Sequence, residues 1–538
     1  MTKRPSDDLI WHTFVRLGHP YFRGAELMRD CGLYSFRDSW MRARLAYLKA
    51  EDLGKPGNIE SPDKRRRKAT ARTMVFTCAQ SNTKVHQPFL DSLKVFCEHR
   101  NAELHISRYT YNKGAYGRQS VKPGTAEKPK ELWYDDAIQP FISDESIQLA
   151  PDLVWCGELN VLPTMKFPLT QFKTYTRQDS AIVPHAKISM ESIPTMKNVP
   201  AKMLYSTGTV TQRNYIQKTA GQVADFHHVY GAVVVEIDEL GNWWVRQLNA
   251  KNDGTFYDLT DYYYPNGVQG ERRVAGITHG DIHWDKTDLD ILSVVFDEGG
   301  VVDTLHPEEQ HFHDIVDFMP RNHHNIKDPW HLHEMHANKT SSVAGEFMGA
   351  GVFLSHHAYR PWAWNYVITS NHDQAIETWL RNPDAMKDPV NVKFWHQMNV
   401  AVHSDITRHH IPRPFAVAIK AAISMPAADR TTVIHEDKSH QLRGIEVGLH
   451  GHLGPNGARG SPKNLRTVGK ANTGHTHTAG ICDGVYTAGL YGLLDQRYNK
   501  GLSSWSHSFV VTYDNGKRAI LTIKNGRAYR DNPRKECK

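Results

Sequence analysis

The spacing of apolar and polar positions changes along the chain and divides it into three stretches. Over residues 8–54 the apolar positions Leu27, Met28, Leu33, Phe36, Trp40, Met41 and Leu45 recur at helical spacing, and Gly32 stands where a tight inter-helix turn would fall. This predicts an N-terminal helical unit over residues 1–60. Two readings fit: a helix-turn-helix whose second helix presents Arg37, Arg42 and Arg44 to a DNA groove, or an ordinary helical hairpin with a solvated basic face. From Thr73 the texture becomes strand, helix, strand, at 74–78, 87–99 and 103–107. A hairpin follows, from 232–237 to 243–248, around the turn Asp238-Glu239-Leu240-Gly241-Asn242. Residues 73–270 therefore read as an α/β domain, without a glycine-rich phosphate loop to suggest its chemistry. In the third stretch, 271–530, apolar strand candidates at 273–278, 292–296, 364–370 and 444–449 alternate with short polar clusters. The stretch ends in a hairpin, 508–513 to 519–523, turning at Asp514-Asn515-Gly516, expected to close a second sheet.

Charge changes this picture at the N-terminus. Residues 1–72 hold sixteen Lys/Arg against nine Asp/Glu; with 65 and 58 in the whole chain, 49 of each remain and cancel, so the formal +7 belongs to the first 72 residues. The linker at 61–72 contains Lys64-Arg65-Arg66-Arg67-Lys68, which repel one another unless solvent or phosphates surround them. Nucleic acid is the first partner such asymmetry implies.

Other features mainly exclude. No run of eighteen apolar residues and no signal-peptide stretch is present, which predicts a soluble cytoplasmic protein without a membrane partner; homo-oligomerisation stays open. The six cysteines form no close pair of the kind that holds zinc or a redox disulfide. Histidine, by contrast, is abundant at 32 residues, and it is the commonest metal ligand.

Candidate ligands sit just beyond the apolar segments of the third stretch. In chain order they are His279-Gly280-Asp281-Ile282-His283, His313-Asp314-Ile315-Val316-Asp317, Asn371-His372-Asp373, His450-Gly451-His452 and Gly474-His475-Thr476-His477. Several strands delivering carboxylates and imidazoles to one sheet edge would build a metal centre. This order resembles the calcineurin-like metallophosphoesterase family over about 272–525. Two blocks depart from the family pattern, His313 and Ser370 standing where the family has glycine; the departures alter turns and remove no ligand. The resemblance implies an α/β fold whose C-terminal domain, 271–530, is a four-layer α/β/β/α sandwich. It also implies two divalent metal ions, manganese first with iron or zinc as alternatives. Asp281, His283 and His477 would hold one ion and Asn371, His450 and His475 the other, with Asp314 bridging and His452 the rival to His450. His372 would protonate the leaving oxygen, and Asp373 could orient its ring.

The substrate follows from the appendages. A basic helical unit, a cationic linker and an added α/β domain suit DNA better than a small phosphomonoester, and the loop 454–461 places Arg459 close behind the fourth block. As a whole the chain resembles early proteins of large tailed phages implicated in degrading host DNA. The expectation is a metal-dependent DNase working in the host cytoplasm. Its rivals are a phosphomonoesterase or protein phosphatase of the same fold, and a DNA-binding or protein-binding host-takeover factor with a vestigial metal site.

Overall fold

The computed structural model describes residues 6–13, 28, 67–69, 71–111, 132–197, 199–322, 325–407 and 410–532, and it divides into two units, Met1–Lys68 and Ala69–Lys538. In the first unit a short helix, Asp7–Trp11, starts at Ser6, whose Oγ accepts the Leu9 N–H at 3.3 Å. The expected helix pair with Arg37, Arg42 and Arg44 lies outside the described residues, as do Lys64, Arg65 and Arg66 of the linker. Arg67–Lys68 is extended, with Lys68 exposed.

The second unit opens with the strand–helix–strand read from the sequence. Thr73–Gln80 and Glu103–Tyr109 pair in parallel across the helix Gln87–Arg100. The predicted hairpin joins them: Gly231–Ile237 and Trp243–Asn249 pair antiparallel with Val235 opposite Val245. Its turn is held by Asp238 Oδ1, which accepts the Leu240 and Asn242 N–H groups at 2.9 Å each, and by Gly241 at φ +82°.

Two larger sheets follow. One has six strands in the order Thr431–Ile434, Trp364–Ile368, Glu309–His313, Gly276–Thr278, Ser508–Thr512, Arg518–Thr522. The first four are parallel and the last two form the expected C-terminal hairpin. That hairpin extends this sheet; it does not close the other one. The second sheet runs Ser146–Ala150, Leu153–Cys156, Ser180–Val183, Lys202–Ser206, Met190–Ile193, then Gly480–Cys482, Val485–Thr487, Ala471–Thr473, Ile445–Glu446 and Gln441–Leu442.

Alternation along the six-stranded sheet decides its packing. Ile277, Phe312, Val367, Phe509 and Val511 face helices, including Leu289–Phe296, Val343–Val352 and Pro414–Ala422. Val510 and Ile520 face the other way and pack with Ile481, Tyr486, Phe76, Val233 and Val235. At about 1.5–3 kcal/mol per large apolar side chain, this shared core binds the three sheets together.

Two expectations need correction. Residues 292–296 are not a strand. Leu289–Phe296 is a helix capped by Asp288, which accepts the Asp290 N–H at 3.0 Å. A five-residue run with four apolar members, all buried, has no period to separate helix from strand. The boundary drawn at 270/271 also fails to separate two sheets, because Met190–Ile193 pairs with Gly480–Cys482, Met190 standing opposite Ile481. Among the described residues no helix is long and apolar enough to cross a membrane.

Candidate metal centre

The parallel strands Gly276–Thr278 and Glu309–His313 end side by side, and backbone bonds hold the chain leaving each. Asp281 N–H donates to the Gly489 carbonyl at 3.1 Å, and His283 N–H to the Asp314 carbonyl at 2.7 Å. From the second sheet, Ile445–Glu446 leads to His450, and Ala471–Thr473 leads through Gly474 to His475 and His477. Four of these residues are left-handed without being glycine: His283 (φ +47°), Asp314 (+46°), His475 (+79°) and His477 (+56°). Each costs on the order of 1–3 kcal/mol, and such backbone gathers where a site over-determines it.

The structure brings together Asp281, His283, Asp314 and His477, all buried, with one potential ligand atom from each inside a 4.8 Å group. Nε2 of His283 and Nε2 of His477 are 3.0 Å apart. His477 Nε2 lies 3.3 Å from Asp281 Oδ2, and His283 Nε2 lies 3.6 Å from Asp314 Oδ2. His450 Nε2 approaches the same Asp314 oxygen at 3.3 Å, while Oδ1 of Asp281 and Oδ1 of Asp314 are buried without a hydrogen-bond partner. Imidazole nitrogens this close, beside orphaned carboxylate oxygens in a buried group, are a donor set that fits a cation.

Protonation is consistent with that fit. Burial opposes the ionised form of Asp314, but the surrounding imidazoles, His450 first, hold its carboxyl well below the usual range; Asp281 is also held low, chiefly by His477. Burial pushes His475 down to about 4 and lowers His477, so both present lone pairs. His450 is the exception, raised by Asp314 against the effect of its burial.

The remaining predicted residues fall as follows. His475 donates its backbone N–H to Asp281 Oδ2 at 2.8 Å, and its ring lies 5.1 Å from that of His450. His452 Nε2 faces the Gln374 side chain at 3.4 Å, so His450, not His452, is the imidazole against Asp314. Asn371 is exposed on the turn after Trp364–Ile368, and Arg459 is exposed in its loop. His372 is three-quarters buried, with Nδ1 2.9 Å from Asp317 Oδ1. Burial alone would lower its pKa; the Asp314 and Asp317 carboxylates instead hold it at about 10.

Asp373 does not orient that ring. Its oxygens accept the Ser370 N–H at 3.0 Å and the Val316 N–H at 3.3 Å, so it braces two turns; burial and the nearby Asp314 push its carboxyl up to about 7. The carboxylate behind His372 is Asp317, which also lies 3.3 Å from His283 Nδ1 and takes the Lys286 ammonium on its other oxygen. Asp317 was visible as the last residue of the second polar cluster but had no assigned role. His313, in the place of the family's glycine, is fully buried with Nδ1 3.3 Å from Nδ1 of His450. Elsewhere in the third stretch, His323 and His324 lie outside the described residues, and His331 Nε2 lies 3.0 Å from the Met319 carbonyl oxygen.

The fold and this cluster define a mixed α/β protein with a buried aspartate–histidine group able to hold a metal ion. The chain is 36% identical to protein A1 of Escherichia phage T5 over 472 residues, 85% of this chain and 83% of that protein, and it belongs to that protein's family. No protein-family model matches the sequence, and no solved structure matches it.

Proposed function

We propose that the protein is a dinuclear-metal-dependent phosphodiesterase that cleaves DNA in the cytoplasm of a phage-infected cell. The observation that carries this reading is the convergence of Asp281, His283, Asp314 and His477 within one buried group, with His372 held beside it by Asp317. In this reading Asp281, His283 and His477 would hold one ion, His450, His475 and the exposed Asn371 would hold the other, and Asp314 would serve both, in the order of the metallophosphoesterase blocks. Manganese is the first choice for an oxygen and nitrogen shell without thiolate. When bound, the two ions would supply Lewis-acid stabilisation of the phosphoryl group and activation of water.

The chain's own residues supply the rest. His372 is partly open to solvent and held by Asp317 beside the aspartate–histidine group, a position that suits donation to a leaving oxygen. Asp317 fixes the ring through Nδ1, leaving Nε2 for the substrate. Support for DNA as substrate comes from the +7 charge confined to residues 1–72 and from a phage protein as relative.

The test is incubation of the full chain with duplex DNA, single-stranded DNA and an aryl phosphate, with manganese or with chelator. DNA cleavage should require metal and vanish in Asp314→Ala together with bound metal. His372→Ala should keep its metal and lose about 10²–10⁴-fold in rate. DNA left intact under every condition would sink the nuclease reading, and turnover of the aryl phosphate alone would make the protein a phosphomonoesterase.

A further inference from the structure

We propose that Glu309, His311 and His440 form a separate zinc site that clamps the two large sheets together at the end remote from Asp314. Glu309 and His311 are two apart on the strand Glu309–His313 and so share a face, whereas His440 leads into Gln441–Leu442 at the edge of the other sheet. His311 Nε2 lies 3.1 Å from Glu309 Oε2, and His440 Nε2 lies 2.8 Å from the same oxygen. The three donor atoms fall inside 4.8 Å of one another. Two ligands of a tetrahedral zinc are themselves about 3.3 Å apart, and two histidines with one glutamate are a proven zinc donor set. Glu309 and His311 stand five and three positions before Asp314, which at ~3.3 Å per strand residue sets their backbones roughly 16 and 10 Å from it along the strand.

The surroundings suit a cross-linking ion that keeps one position for solvent. His311 is fully buried, while the Glu309 and His440 side chains are 19% and 20% exposed, so a water has access to a fourth position. The Tyr366 ring lies over His440 with centroids 4.1 Å apart and fixes its plane. Burial would raise the Glu309 carboxyl, but the two imidazoles hold it at about 2, so it stays anionic. Gly276 lets the next strand pass, since a Cβ there would meet Leu442 Cδ2 at 2.5 Å and His311 Cε1 at 3.1 Å. The apolar contact beside the triad is small, made by Ala275, Leu442, Ile445 and Val447. A cross-link at this point would anchor the hairpin that leads to His450.

The test is to crystallise the full chain with zinc and record anomalous differences at the zinc edge. A peak among Glu309 Oε2, His311 Nε2 and His440 Nε2 is expected. In solution, Glu309→Gln and His440→Ala should each lose one zinc per chain and lose the part of the zinc-dependent rise in Tm that this ion supplies. No peak at the triad, or an unchanged zinc count in both variants, would overturn the proposal and leave a carboxylate hydrogen-bonded to two imidazoles. If a variant fails to fold, the wild-type crystal decides.

Discussion

Asp317 serves two imidazoles with one oxygen, lying 3.3 Å from His283 Nδ1 and 2.9 Å from His372 Nδ1. It therefore ties a proposed metal ligand to the proposed acid. Because this carboxylate and that of Asp314 raise His372 to about 10, replacing it should let the ring lose its proton at lower pH. Asp317→Asn is expected to move the alkaline limb of kcat/KM to lower pH; an unmoved limb would show that His372 is not the acid. The same sign holds for folding: the His372 contribution is complete below its unfolded value near 6.5 and is lost as pH rises towards about 10. Side-chain types and order made the buried group of Asp281, His283, Asp314 and His477 legible, but the partner of His372 was not. Asp373 is its neighbour in the chain, yet a turn points successive side chains in different directions, and backbone amides claim the Asp373 oxygens.

At the scale of elements, the strand ends make the site and their turns leave little tolerance. A Cβ on Gly474 would sit 2.0 Å from Asp281 Oδ1 and 3.2 Å from His313 Cβ. Gly474→Ala should therefore displace Asp281 and weaken metal binding by roughly 10–100-fold, read by isothermal titration with manganese. The N-terminal hairpin carries a different constraint. Glu236, fully buried, takes Arg246 at 2.8 Å and Arg100 at 2.9 Å, and Arg246 also binds Asp258. Burial would raise the Glu236 carboxyl, but the two arginines, Arg246 foremost, lower it from 4.5 to about 2. Its contribution to stability is thus full above pH 4.5 and is lost as pH falls towards 2. Urea midpoints of Glu236→Gln should depend less on pH than wild type across that window. Both hairpins were readable from alternation and turn residues, whereas Leu289–Phe296 was not, because its short apolar run has no distinguishing period.

For the whole molecule, chain order and spatial order part company. Strands from 146–206 and from 441–487 share one sheet, and the core holding Phe76 and Val233 also holds Ile481 and Val510. A fragment beginning at residue 271 would therefore expose both the Gly480–Cys482 edge and the apolar residues that pack on it. Expressed alone, 271–538 should be insoluble or unfolded by circular dichroism, and co-expression with 1–270 should restore a soluble complex. A stable, metal-binding 271–538 fragment would contradict this account of the core.

The sequence by itself determined which side chains are available for chemistry and where along the chain they stand: the aspartates and histidines after apolar segments, the glycine of Gly474, and the basic charge gathered before residue 73. These are local properties, set by residue type and by neighbours a few positions away. Tertiary structure alone decided that Asp317 faces His372, that His450 meets Asp314, and that the region before residue 270 completes the sheet delivering His450, His475 and His477. Those outcomes depend on strand pairing between residues hundreds of positions apart. Such pairing is specified by the fit of whole faces, a property no single segment carries.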